Sequence, residues 1–229
     1  YNKYAPIVLF VYNRPKHILQ TINSLLYNEY VEDSDLIVYS DGPKDSKDLD
    51  LVEQTRAYIK SVSGFKSVKL IERADNWGLA NNIIDGVTSI VNQYGKVIVL
   101  EDDVCTSPYY LQYMNDALTF YEKEKKVMHI SSIPHFDIKT GNDIVFTSLM
   151  ECGWGWATWK DRWNDFKYYM SREDALDGLS NNDLYNLEYG GRFQCLKSLD
   201  RDPIPWDICW ILAIYRNKGL CIEPVEPLS

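Results

Sequence analysis

Five short apolar runs, separated by segments of helical periodicity, follow one another between residues 5 and 133, and this alternation constrains the fold more than any other property of the chain. The runs are APIVLFVY (5–12), DLIVYS (35–40), SVKLIER (67–73), KVIVL (96–100) and VMHISSI (127–133), each the length of a buried strand. Pro15 opens the first intervening helix, which places Ile18, Leu19, Ile22, Leu25 and Leu26 at helical spacing. Residues 46–62 read as a polar amphipathic helix. Residues 77–94 read as a helix with Leu79, Ile83, Val87 and Ile90 on one face, closed by Gly95. Ser107 and Pro108 are the expected N-cap and first turn of a further helix carrying Leu111, Met114, Leu118 and Tyr121. Strands and helices in this alternation imply parallel crossover units, hence a doubly wound α/β sheet.

The second half is less regular. It holds an expected strand at DIVFTS (143–148), an aromatic segment at 151–163, and polar helices around 181–199 and 206–217. No internal repeat or low-complexity linker divides the 229 residues, so one domain with a nucleotide-type half and an irregular half is the economical reading. The first apolar run begins a few residues after Tyr1 and the chain stops just after CIEPVEP, so both ends read as trimmed. A net charge of -9 argues against nucleic acid as the main partner. Seventeen tyrosines and seven tryptophans point to a ligand surface as well as a core. Cys105, Cys152, Cys195, Cys209 and Cys221 form no CxxC pair and read as reduced thiols of a cytoplasmic protein. No leader or apolar run of about 18 residues is visible. Peripheral association with the inner face of a membrane stays open.

In a parallel sheet the strand C-termini share one edge, where ligands bind. Here the strand ends carry Asn13 and Arg14, Asp41, Asp75 and Asn76, and the triplet Glu101-Asp102-Asp103. Neither GxGxxG nor GxxxxGK[ST] is present, so glycine loops are not cradling a phosphate. Carboxylates holding a hard divalent cation could bridge to phosphate oxygens instead. The bland alternative is a solvated acidic turn; its place at the ligand edge favours a site.

The segments PIVLFVYNRP, YSDG (39–42), NWGLANNII (76–84), VIVLEDDVCTSPYYLQYMNDAL (97–118) and WDICW (206–210) together resemble glycosyltransferases of the GT-A fold, in particular the N-acetylglucosaminyltransferase I type and related bacterial sugar transferases. The resemblance implies a Rossmann-like, mostly parallel sheet flanked by helices, with an irregular helical C-terminal acceptor half. It implies one catalytic domain over 1–229, of which 1–125 bind the nucleotide-sugar and 126–229 the acceptor. It implies a UDP-sugar donor, with Arg14 and Asp41 lining the uridine pocket and Asp41 accepting a hydrogen bond from the base. Glu101 and Asp102 would face sugar and ribose, and Asp103 would bind Mn²⁺ (or Mg²⁺) against the diphosphate. Asp207 falls where the family places its general base, for an inverting transfer to a saccharide or glycoconjugate acceptor. The paired acids expected after the tryptophan are here Asp207 and Ile208, so one carboxylate serves. By the same analogy the setting is bacterial surface-polysaccharide assembly.

Each of these residues also has a plainer role. Asp207 suits a helix start by charge alone. Asn76 is as well suited to cap its helix as to touch a donor. Arg14 is a cation at a helix N-terminus, an unfavourable place that an anionic ligand would relieve. In GWGWATWKDRW (153–163), Trp154 and Trp156 are candidates for an acceptor platform or for the core, and Trp159 and Trp163 for the core. His17, His129 and His135 lack metal-ligand spacing and read as structural; His135, in a short polar loop after the fifth strand, is the one placed where a further role is open. Two other functions compete: a sugar-nucleotide pyrophosphorylase, which would need a glycine-rich basic loop that YNRPKH does not supply, and a non-catalytic nucleotide- or glycan-binding module.

Overall fold

The computed structural model describes residues 3–135, 145–148 and 153–229. The first half follows the expected alternation: β1 (Ile7–Val11), α1 (Pro15–Leu26), β2 (Asp35–Ser40), α2 (Leu49–Ser61), β3 (Ser67–Glu72), α3 (Leu79–Tyr94), β4 (Lys96–Glu101), α4 (Tyr110–Phe120) and β5 (Val127–Ser131). β1 is buried along its whole length because helices cover both faces of the sheet. Its side chains divide with the strand period of two. Ile7, Leu9 and Val11 join one core with α1, α2 and α4, whereas Val8 and Phe10 join a second core with α3. A Cβ at Gly86 would lie 2.7 Å from the Phe10 ring, so glycine sets how closely α3 approaches β1. α3 ends at Gly95 in the left-handed conformation, its N–H donating to the Val91 carbonyl.

The second half comprises β6 (Val145–Ser148), β7 (Trp156–Trp159), α5 (Lys160–Trp163), α6 (Arg172–Leu176), α7 (Asn181–Leu187), α8 (Trp206–Arg216) and β8 (Leu220–Pro224). The eight-stranded sheet has the order β3-β2-β1-β4-β7-β5-β8-β6. β1 to β4 run parallel, β7 lies antiparallel between β4 and β5, β8 is parallel to β5, and β6 closes the sheet antiparallel to β8. The mostly parallel α/β sheet agrees with the expectation.

Several details differ. Part of the aromatic segment 151–163 is strand β7, and β8 forms from the CIEP stretch near the end of the sequence. The polar helix expected over 181–199 is broken: α7 stops at Leu187, and Cys195–Asp200 form a separate 3-10 turn. α4 starts at Tyr110 rather than at Ser107. The Ser107 carbonyl accepts from the Tyr110 N–H at 3.1 Å, while its hydroxyl has no hydrogen-bond partner among the described residues. α6, α7, the 3-10 turn and the outer face of α8 enclose a third small core around Leu187, Leu199 and Leu212.

Candidate active site

The residues at the parallel strands' C-terminal ends converge as the topology requires. After β2, the turn at Gly42 packs so tightly on the backbone of Asp75 that an added Cβ would lie 2.4 Å from the Asp75 carbonyl carbon. This contact brings the 75–78 segment to Asp41. The Asp41 carboxylate then accepts four hydrogen bonds: Oδ1 from the N–H groups of Gly42 (2.9 Å) and Trp77 (2.8 Å), Oδ2 from Asn76 Nδ2 and the Gly78 N–H (both 3.0 Å). A carboxylate offers about four lone-pair positions. Asp41 is therefore committed to holding the loop before α3, and the expected hydrogen bond from a nucleobase would have to displace one of these donors. Asn76 also donates to the Gly42 carbonyl at 2.8 Å, so it clasps the two turns; the helix N-cap itself is Gly78.

Arg14 is satisfied by the chain itself. Its Nε donates to Asp102 Oδ2 at 3.3 Å, its Nη2 pairs closely with Asp102 Oδ1, and its Nη1 donates to Asp103 Oδ2 at 2.9 Å. The mismatch of a cation before α1 is thus relieved by the acidic triplet and not only by a ligand. Burial alone would lower the Arg14 pKa, but the hydrogen bond and charge of Asp102, with those of Asp103, leave it raised. Asp102 is almost wholly buried, and burial raises its pKa although Arg14 pulls the other way. Its carbonyl accepts from Thr21 Oγ1 at 2.8 Å, which fastens the acidic turn to α1.

Two cavities meet at this edge. The smaller, about 440 Å³, is lined by Phe10, Tyr12, Arg14, Tyr39, Asn76 and Asp102 among others. The larger cleft, about 910 Å³, takes in His135, Trp154, Phe193, Trp206 and Asp207. Glu101 lines both. Burial, then the charges of Asp103 and Asp102, push the Glu101 pKa up to about 7. Asp207 opens α8, and its Oδ1 accepts from the Ile208 N–H at 2.8 Å. Burial raises its pKa as well.

Trp154 is 64% exposed on the cleft, as an aromatic platform requires. Trp156 is not a platform. It has no exposed surface and stacks between His129 (5.3 Å between centroids) and Trp206 (5.5 Å), with Trp163 and Trp210 beside it. Alternation along β7 places this side chain on the sheet face covered by α3 and α8, so it supports the first turn of α8 from beneath. Trp159 and Trp163 are core residues, as expected.

Among the described residues no group of three or more potential ligands could hold a metal ion unaided. Asp103 is partly exposed and keeps one carboxylate oxygen outside its pair with Arg14. That suits a hard cation drawing its remaining ligands from a bound diphosphate and water.

Two supporting residues carry no signal in the sequence. Asp48 accepts from Tyr12 Oη at 2.6 Å and Asn13 Nδ2 at 2.7 Å, bonds that hold its own pKa below the usual value. Arg56 on α2 donates to the carbonyls of Asp41 (3.1 Å) and Arg73 (2.7 Å), joining the ends of β2 and β3. Both lie in a polar helical stretch whose pattern does not distinguish them from solvated charges.

The profile of "Glycosyl transferase family 2" matches residues 7–200, most of the chain. The chain belongs to glycosyl transferase family 2. The match covers β1 to β7 and the acidic turn of this family 2 chain and stops short of Asp207. No curated protein matches it in sequence. Staphylococcus aureus TarS is similar in fold, with 14% identity and a TM-score of 0.51 over 95% of this chain and 35% of TarS. A mannosyltransferase from Pyrobaculum calidifontis, solved with GDP-Man and Mn²⁺, aligns at 12% identity and a TM-score of 0.45 over 77% of this chain and 48% of that one. The family 2 chain thus spans about a third to a half of these proteins. The finer resemblance to the N-acetylglucosaminyltransferase I type is carried by the sequence motifs alone.

Proposed function

We propose that this family 2 glycosyltransferase moves a sugar from a UDP-sugar to a hydroxyl of a saccharide or glycoconjugate acceptor, with inversion at the anomeric carbon. The observation that carries the reading is the junction at Glu101, where the smaller cavity between β1, β2 and α3 opens beside the cleft that holds Asp207. The donor nucleotide would occupy the smaller cavity, between the Tyr12 and Tyr39 side and the acidic turn. The acceptor would enter the larger cleft over Trp154.

Asp207 would take the proton from the acceptor hydroxyl as that oxygen attacks the anomeric carbon and the bond to UDP breaks. Asp103 would hold Mn²⁺ or Mg²⁺, whose charge, when bound, offsets that developing on the departing UDP. Arg14, already beside Asp102 and Asp103, would turn part of its guanidinium toward the diphosphate. Asp41 and Asn76 would act on the donor indirectly, by fixing the loop that forms the pocket wall. Residues 1–125 would serve mainly the donor and 126–229 mainly the acceptor, within one catalytic domain. No helix among the described residues is long and apolar enough to cross a membrane. Work at the cytoplasmic face of a membrane, in surface-polysaccharide assembly, fits the proposal through peripheral contact.

A panel of nucleotide sugars with Mn²⁺ or with EDTA, scored by thermal shift and slow donor hydrolysis, tests the reading. UDP-sugars should stabilise the protein only with metal. Asp207→Asn should abolish transfer and leave UDP binding intact. Indifference to every nucleotide would overturn the proposal, and retained turnover in the Asn variant would remove Asp207 from it.

A further inference from the structure

His135 and Glu223 form a built pair on the wall of the larger cleft. Glu223 lies on β8 with no exposed surface, yet both of its oxygens engage His135. Oε2 accepts from the His135 backbone N–H at 2.7 Å, and Oε1 lies 3.0 Å from the ring Nδ1. The Phe193 ring meets the imidazole edge to face, with centroids 6.4 Å apart and planes at 81°. The ring is therefore held along one edge by a carboxylate and braced by an aromatic. A carboxylate oxygen only accepts, so the 3.0 Å contact places a proton on Nδ1, and in the neutral ring Nε2 is then an acceptor. His135 lines the same cleft as Trp154 and Asp207.

We propose that His135 is an acceptor-binding residue, whose Nε2 accepts a hydrogen bond from a hydroxyl of the incoming saccharide, and that Glu223 is its positioning residue, fixing the tautomer and the ring plane. Sugar hydroxyls are good donors, and the exposed indole of Trp154 in the same cleft offers the apolar surface that a sugar ring's C–H face needs. The proposal rests on the reading that this cleft takes the acceptor. It adds a recognition group that does not belong to the donor site or the acidic turn.

The test uses the whole chain, labelled with ¹⁵N-histidine, and methyl glycosides of glucose, galactose and N-acetylglucosamine as probes, without nucleotide. In the neutral ring His135 should show a protonated Nδ1 and an unprotonated Nε2, and glycoside addition should move the Nε2 resonance while His17 and His129 stay fixed. His135→Ala should weaken glycoside binding about tenfold by saturation-transfer NMR. In Glu223→Gln the side-chain amide can itself donate to Nδ1, so the two ring nitrogens should report a mixture of tautomers. A protonated Nε2 in the neutral ring of the free protein, equal glycoside binding by wild type and His135→Ala, or no response to any glycoside would overturn the proposal. The wild-type spectra decide even where a variant fails to fold. A protein that UDP does not stabilise would contradict the donor reading, whereas these nucleotide-free measurements would still decide the role of His135.

Discussion

Glu101 experiences the greatest electrostatic conflict at the acidic turn, because burial and two neighbouring carboxylates all oppose its ionisation. Its pKa rises from an ordinary 4.5 to about 7 in the folded protein. Between those values the folded state binds more protons than the unfolded one, so stability falls as pH rises across the window. Asp102 and Asp207 are also shifted upward and add to the same trend. Replacing Glu101 by Gln should therefore raise stability at pH 8 by about 1–3 kcal/mol and change it little at pH 4. Thermal melts at the two pH values check this, and a variant that tracks the wild type at both would show that Glu101 is not under strain. The triplet and its place at the sheet edge were legible in the sequence. The commitments of its neighbours were not. The donors to Asp41 come largely from backbone N–H groups of Gly42, Trp77 and Gly78, which reach it only because Gly42 lets two turns touch. No residue type advertises such a contact.

At the scale of elements, the turn at Gly155 before β7, with φ +83°, separates two tryptophans that sit two residues apart in the sequence. Trp156 supports α8 from within the core, and Trp154 stands on the cleft. Trp156→Ala should destabilise the protein by about 3–5 kcal/mol, read by denaturant melts. Trp154→Ala should leave stability within about 0.5 kcal/mol and weaken glycoside binding instead. Equal losses of stability in the two variants would contradict the division. The expected strands β1, β2, β4 and β5 could be read because each is a largely apolar run, and β3 because SVKLIE alternates polar and apolar residues with the strand period. WATW is too short for a period to show, and Gly153 and Gly155 before it suggest a loop. β8 shared the same difficulty: CIEP reads as a chain end, and only pairing with β5 and β6 makes it a strand.

On the scale of the whole molecule, the proposed division of ligands at residue 125 does not coincide with a division of folding. β7, from the second half, is hydrogen bonded to β4 along Lys96–Val99 and to β5 at Ile130 and Ser131. A fragment of residues 1–125 would leave the edge of β4 open beside an exposed apolar core, a surface that invites aggregation. Such a fragment should give no cooperative melt and should aggregate in size-exclusion chromatography, and co-expression with 126–229 should restore a soluble complex. A monodisperse, cooperatively melting fragment would show the first half to be autonomous. The Trp156 cluster, whose tryptophans all belong to residues 126–229, has an optical consequence. Trp156 lies with its ring centroid 5.5 to 6.5 Å from those of Trp163, Trp206 and Trp210, and Trp163 lies 5.0 Å from Trp210, close enough for their electronic transitions to couple. The near-ultraviolet circular dichroism of the protein should carry an exciton signature from beneath α8, so the seating of Asp207 can be followed by light without any label.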